Sequence, residues 1–570
     1  MPRRPPPIPL ATHRANRPCR PEAAERRPLP TPLPNPLPAR SFGRFRCPGL
    51  VVALVFAALL PAAPAMAAGT LVFCSEDSPE TLSPPLAASS VAMDAIRPIF
   101  DTLVAFAPGT TDIVPSLATH WSISPDGRDY TFHLREGVAF QASEAFTPTR
   151  AMDAADVIFS FGGPEGGERG DDYEEFRDPG LAALLESVTS LDDHTVRFRL
   201  KRSDAALLAH IAMPVNSILS AEYSHRMLQQ GTPERFHERP IGTGPFRFVD
   251  FRQDVAIRYQ AFGDHWRGRP KLDALVFSIT PTASARLQKL KASECQVSAT
   301  PNPGEIAGIA ADPSLKLFSI SGLSIGYLAI NTTRKPFDDV RVRRALNMAI
   351  DREAILSAIY PGMGTRVDSP LPPASWASAG AAQAYPYDPE EARRLLIEAG
   401  VTDGLKVDLW YPPDNRSYNP DARRMARMIA ADLEPLGIKV IRNSAPWETY
   451  WRNLMNGETT LALAGWIGDN GDPDNFMATL LACSGAVRGG HNVARWCDAV
   501  YDALIERARQ VTDRKTRARI YADAQAIFHE QAPWVPIASP RFLVAARANV
   551  MNFVMNPLGF HDFTGVDLAE

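Results

Sequence analysis

Arg416 and Asp469 are the two side chains whose charge and setting best suit recognition of a small charged ligand. Arg416 and Tyr418 sit in the loop 411–418, after an apolar run ending at Trp410 and before a segment with helical periodicity. Asp469 opens a turn-rich stretch, Gly468-Asp469-Asn470-Gly471-Asp472-Pro473-Asp474, that follows the apolar run 461–466. In open α/β sheets ligands bind outside the carboxyl ends of the strands, so both loops stand where a ligand would. One offers a cation and the other an anion. Trp410, Trp447 and Trp466 lie near the same loops, and aromatic walls with a few placed polar groups describe a pocket for a small ligand. A zwitterion fits that pairing. The same spacing also lets Arg416 and Asp469 pair with each other or with solvated neighbours, and spacing alone leans slightly to that plainer reading.

Catalytic patterns are weaker. Gly322-Leu323-Ser324-Ile325-Gly326 satisfies G-x-S-x-G, but a nucleophile elbow needs a strand, a sharp turn and then a helix. Residues 327–331 continue instead as another extended run, so Ser324 reads as a strand or hinge residue. No H-E-x-x-H or P-loop pattern occurs, and the aspartates at 469–474 lack the spacing and terminal glutamate of a calcium loop. The eleven histidines include no obvious pair, and His133 and His194 read as solvated strand residues. No catalytic residue, metal or cofactor is expected. A secreted peptidase is the contrasting enzymatic reading.

The elements that must hold the two charges are legible in outline. Residues 407–410 read as a strand, Asn419 as an N-cap with Pro420 at the first helical position, and Met425, Ile429 and Leu433 as a helical stripe. Pro435 and Gly437 end that helix, and residues 438–441 resume as a strand, completing a βαβ unit with parallel strands. A helix from Asp388 through Pro389 to Gly400 shows the same cap grammar. The first half is β-rich, with alternation at Tyr130, Phe132 and Leu134 and at Val196, Phe198 and Leu200.

With 570 residues, 22% charged and 45% hydrophobic, the chain can bury a large core spread over two or three domains. Charge is unevenly placed: residues 1–67 carry +8 and the remainder −12, so the folded body is acidic and nucleic acid is an unexpected partner. Residues 1–46 form a Pro/Arg-rich extension expected to be disordered. Residues 47–67 hold an apolar run, 50–60, then Ala65-Met66-Ala67, the layout of a secretory signal with cleavage after Ala67. Eleven apolar residues are too few for a bilayer core, which needs roughly 20 in a helix. Four cysteines follow, Cys74, Cys295, Cys483 and Cys497, an even count that favours disulfides in an exported chain over buried free thiols. Proximity favours Cys483 with Cys497, leaving Cys74 with Cys295.

Several stretches resemble a known family. Residues 69–76, Gly-Thr-Leu-Val-Phe-Cys-Ser-Glu, the run Ser124-Pro125-Asp126-Gly127-Arg128-Asp129-Tyr130-Thr131-Phe132-His133-Leu134-Arg135 and Ile241-Gly242-Thr243-Gly244-Pro245-Phe246 are similar to landmarks of solute-binding protein family 5, the periplasmic peptide, nickel and haem receptors of ABC transporters. Residues 465–476 and Tyr418-Asn419-Pro420 with Ala422-Arg423-Arg424-Met425 resemble its dipeptide-specific branch, as do all four cysteines.

The resemblance implies a two-lobed α/β receptor of the flytrap kind (type II), with an extra domain inserted in the first lobe: lobe I at 68–103, 243–320 and 541–570, the insertion at 104–242, and lobe II at 321–540. Crossings between lobes are expected near 320–326 and 533–540. It implies that Asp469 holds a peptide ammonium and Arg416 a terminal carboxylate, and that Tyr418, Trp447 and Trp466 line the pocket. A strand-like edge near Ala87, Ser89 and Ser90 would bond the peptide backbone, although Ala88 and Ser90 depart from the residues usual there. Tyr173 would also face the pocket. The implied function is capture of dipeptides in the periplasm for an ABC permease by a monomer, with a chemoreceptor as a further partner. Haem, glutathione and longer or antimicrobial peptides are the alternative cargoes.

Overall fold

Residues 71–75 of the strand Thr70–Ser75 are all buried, as a strand covered on both faces requires. In the computed structural model, which describes residues 69–161, 179–379, 384–401 and 403–569, it pairs in parallel with Ala274–Ile279 and Val297–Ala299. Ala256–Ala261 and Phe246–Arg252 add antiparallel strands beyond Ala274–Ile279. The leader, its cleavage site and Tyr173 lie outside the described residues. No helix among the described residues is long and apolar enough to cross a membrane.

A second sheet is built on Ser324–Ile330, in which all seven residues are buried. Ile325, Tyr327 and Ala329 enter one core and Leu328 and Ile330 another, the two-residue alternation of a strand with helices on both faces. Leu405–Trp410 runs parallel to Ile438–Asn443 and to Leu461–Ile467. The expectation of a parallel lobe is correct for these strands and too broad for the sheet. Ser324–Ile330 is antiparallel to both Leu461–Ile467 and Trp534–Arg547, because one of these strands brings the chain into the lobe and the last takes it out.

That exit strand serves both sheets. Residues 534–538 pair with Ser324–Ile330, and residues 541–547 pair with Leu315–Ser321. Two antiparallel segments therefore pass between the lobes side by side, with Gly322 donating to the Pro540 carbonyl at 3.2 Å. A Cβ on Gly322 would press into the Phe542 ring, so a side chain at this crossover requires the ring to move.

Between the first strand and the return to the first sheet lies a separate four-stranded antiparallel sheet formed by Ala118–Ile123, Asp129–Leu134, Thr195–Leu200 and Leu185–Asp192. Its Phe132 and Phe198 share one buried core with Phe73 and Phe277 of the first lobe.

Two local expectations are corrected. The helix Ala422–Leu433 is capped by Asp421, whose carboxylate accepts from the Arg424 amide, and not by Asn419. Asn419 is drawn inward, donating to the Ala464 carbonyl at 3.2 Å. Residues 87–90 form no strand edge: Ser89 caps the helix Ser90–Ile96 through its hydroxyl, and the Glu80 carboxylate accepts from the amides of Ala88 and Ser89 and from the Ser89 hydroxyl. Cys74 pairs with Cys295 and Cys483 with Cys497.

Candidate functional site

The loop bearing Arg416 and Tyr418 is held by its own backbone and by what lies under it. Arg416 and Asn419 exchange amide-to-carbonyl bonds of 3.2 and 2.9 Å, closing a tight turn. The Tyr418 carbonyl accepts from the Tyr360 hydroxyl at 2.6 Å. Beneath it lie Gly326 and Gly465 on adjacent strands. A Cβ at the first would collide with the Tyr418 carbonyl and at the second with the Tyr418 ring, so both positions must be glycine for this loop to settle on the sheet. Burial pushes the Tyr418 phenol above its ordinary pKa, with Arg416 acting in the opposite sense.

The Arg416 guanidinium lies 3.7 Å from the centre of the Trp447 ring, a stacked cation–π contact. Trp447 opens the helix Trp447–Met455 and stacks on Trp451, one helical turn later, at 5.7 Å with an interplanar angle of 11°. Trp451 meets His491 at 6.1 Å, and His491 meets Trp466 edge-on at 5.4 Å. The Trp466 indole N–H donates to Asn475 Oδ1 at 2.8 Å, and Asn475 Nδ2 donates to Asp469 Oδ2 at 2.9 Å. From cation to anion the contacts are unbroken: Arg416, Trp447, Trp451, His491, Trp466, Asn475, Asp469.

Three carboxylates crowd the Asp469 loop, and the structure separates their roles. Asp472 is gripped at both oxygens by Arg517, at 2.7 and 2.8 Å, and Asp474 at both by Arg509, at 2.9 Å each. Those two pairs fix the loop to the helices behind it. Asp469 bonds to Asn475 instead. Among the described residues no ion pair joins Arg416 to Asp469, so of the plainer reading the part in which the two charges pair directly does not hold.

The structure thus brings together Arg416, Tyr418, Trp447, Trp466 and Asp469 on one lobe, and makes Ser89 the cap and Ser90 the first residue of a helix. Sequence reasoning missed Trp451, His491 and Asn475. Trp451 was accessible as an aromatic four residues from Trp447; Asn475 lies within the stretch 465–476 that resembles the family but had no role assigned, and His491 carried no signal. Ser324 begins a buried strand and is followed by no helix, which removes the hydrolase elbow.

The two facing lobes, the paired crossing strands and a charged, aromatic site on the second lobe define a bilobal solute receptor. A family model described as bacterial extracellular solute-binding proteins, family 5 (middle), matches residues 112–487, and the chain belongs to that family. It is 44% identical over 508 residues to the dipeptide-binding protein of Escherichia coli (strain K12), covering 88% of this chain and 95% of that one. It is also 42% identical over 506 residues to heme-binding protein A of Haemophilus influenzae, covering 88% and 92%. Among solved structures it resembles the dipeptide binding protein from Pseudoalteromonas sp. SM9913 in complex with Met-Leu, with a TM-score of 0.74 at 35% identity, covering 88% of this chain and all of that one.

Proposed function

We propose that this protein captures dipeptides in the periplasm and presents them to an ABC permease, with Asp469 holding the ligand ammonium and Arg416 its carboxylate. The observation that carries the reading is the wall just described: two opposite charges at its ends, joined by an unbroken run of contacts through aromatic rings. Tyr418, Trp447 and Trp466 supply apolar surface along the ligand. The 44% identity to a dipeptide-binding protein supports the same cargo.

Fixed anchors for both termini measure length. Each residue adds roughly 3.3 to 3.6 Å to an extended chain, so anchors set for two residues misplace the far terminus of a tripeptide by about that distance. A guanidinium gripping a carboxylate through two parallel hydrogen bonds loses alignment quickly under such a shift. Side chains then contribute less to selection where water fills the space around them. The test is calorimetry with amino acids, dipeptides and tripeptides. Dipeptides bind tightest, and Asp469→Ala or Arg416→Ala costs about 2 to 5 kcal/mol, because each leaves a charge without its partner. A loss below tenfold in both variants overturns the assignment. The haem reading rests on the 42% identical relative and predicts a shifted Soret band on titration with haem. Amine release from a dipeptide would favour a peptidase.

A further inference from the structure

His491 occupies the middle of the wall, between Trp451 and Trp466, and neither the fold nor the two terminal anchors accounts for it. Its placement is firm. The neighbouring Asn492 is fully buried and donates to the carbonyls of Ala482 and Trp496 at 3.1 and 2.8 Å. The Cys483–Cys497 disulfide closes the loop that carries both, and the Gly489 amide donates to the Met455 carbonyl at 2.7 Å, docking that loop on the end of the helix bearing Trp447 and Trp451.

The ring's two nitrogens differ. Nδ1 is sealed from solvent and meets no donor or acceptor, while the residue as a whole is only partly buried, so the edge carrying Nε2 is the open one. A buried N–H without an acceptor is costly. The proton of the neutral ring therefore belongs on Nε2, leaving a bare lone pair at Nδ1 and a hydrogen-bond donor on the open edge.

We propose that His491 is a specificity-determining residue whose Nε2–H donates to an oxygen on the ligand's side chain, so that the site favours dipeptides carrying Gln or Glu over those carrying an apolar side chain of equal length. The proposal rests on the dipeptide reading above and adds to it a side-chain preference. His491 touches Trp451 on the Arg416 side and Trp466 on the Asp469 side of the contact chain, and this is the ground for assigning its open edge to the part of the ligand between ammonium and carboxylate. A donor placed for such a group discriminates against an analogue lacking the oxygen, because binding that analogue strips water from the imidazole without replacing its hydrogen bond.

The experiment compares Gln-Ala with Met-Ala, Ala-Gln with Ala-Met, and the Glu counterparts, by calorimetry on the intact protein. Gln and Met have similar length and no charge, so their ratio isolates the hydrogen bond, and the Glu arm shows whether carboxylate or amide oxygen is preferred. The wild type is expected to favour the oxygen-bearing ligand about tenfold at one of the two positions. His491→Phe keeps a ring between the two tryptophans, so Met-containing dipeptides still bind, which reports folding, and the ratio falls to about one. His491→Gln retains a donor and most of the preference. A wild type that binds Met and Gln dipeptides alike, or a ratio that survives in His491→Phe, overturns this inference while the dipeptide reading stands. A wild type that binds none of them overturns both.

Discussion

Asn475 is bonded twice to Asp469: its amide nitrogen donates to the carboxylate Oδ2 at 2.9 Å, and its amide oxygen accepts the Asp469 backbone N–H at 3.1 Å. The same oxygen accepts the Trp466 indole N–H at 2.8 Å. One short side chain at the start of the helix Asp474–Leu481 thus sets the direction of the anion and the plane of the aromatic ring beside it.

Asn475→Ala should therefore weaken dipeptide binding although Asn475 holds none of the proposed ligand contacts itself. Losing a hydrogen bond to a charged group costs about 1.5 to 3 kcal/mol, or roughly 10- to 150-fold in affinity. Asn475→Asp should be worse at neutral pH, since it sets a second carboxylate against Asp469. A double-mutant cycle with Asp469→Ala separates positioning from general damage: if Asn475 acts through Asp469, the two losses do not add. Calorimetry reads each corner, and full additivity would refute the positioning role.

The limits of the sequence reading have physical causes. The Asp388–Pro389 helix start and the Leu405–Asn443 βαβ unit depend on local signals, caps and alternation, and were legible. At 419–421 two good capping residues flank a proline, and local grammar does not choose between them. The fold chooses Asp421 because Asn419 is needed to bond Ala464 on the adjacent strand. The strand-like edge expected at 87–90 gave way for the same reason: Glu80, nine residues upstream of Ser89, takes its amide and hydroxyl. Arg416 and Asp469 were visible because loops after strands can be found from strand ends. His491 was invisible because it joins the site through a disulfide-closed loop with no periodicity.

The Asp472–Arg517 pair should matter more to stability than to binding. Both side chains are almost fully buried, and Arg517 also donates to the Tyr521 hydroxyl at 3.1 Å and the Ala508 carbonyl at 3.0 Å. Removing one partner strands a buried charge, which costs about 3 to 5 kcal/mol. Asp472→Ala and Arg517→Ala should each lower the unfolding midpoint sharply. Asp472→Leu combined with Arg517→Met should cost less than either single change. Denaturant unfolding without ligand checks both statements.

A pH dependence should come from His561 and Asp94, which pair through Nδ1 and Oδ2 at 2.5 Å, with the His561 amide also donating to Asp94. Burial opposes charge on the imidazole, but the Asp94 carboxylate outweighs it, and the net effect raises the His561 pKa above its ordinary value. A group whose pKa is raised by folding stabilises the fold fully below its unfolded value, near 6.5, and loses that contribution as pH climbs through the folded one. Stability should thus fall from mildly acidic into alkaline pH. His561→Gln should remove that slope while lowering stability at acidic pH. Unfolding midpoints measured across this range decide it, and a wild-type slope unchanged in the variant would exclude the pair as its source.

Reduction should act on the two disulfides unequally. Cys483 and Cys497 are 14 residues apart and Cys74 and Cys295 are 221 apart. Chain-entropy scaling assigns about 3 kcal/mol to the short loop and about 5 kcal/mol to the long one. Cys483→Ser with Cys497→Ser should thus be the milder change in thermal unfolding. Its effect on binding should be the larger of the two, because the short loop holds His491 against Trp466 and Trp451, whereas Cys74–Cys295 ties a strand of the first lobe to the turn that precedes the neighbouring strand Val297–Ala299. If the short disulfide only stabilised the fold, its loss would leave the Gln-to-Met preference intact at temperatures where the protein stays folded. If it holds the imidazole in register, that preference should shrink while affinity for Met-containing dipeptides persists.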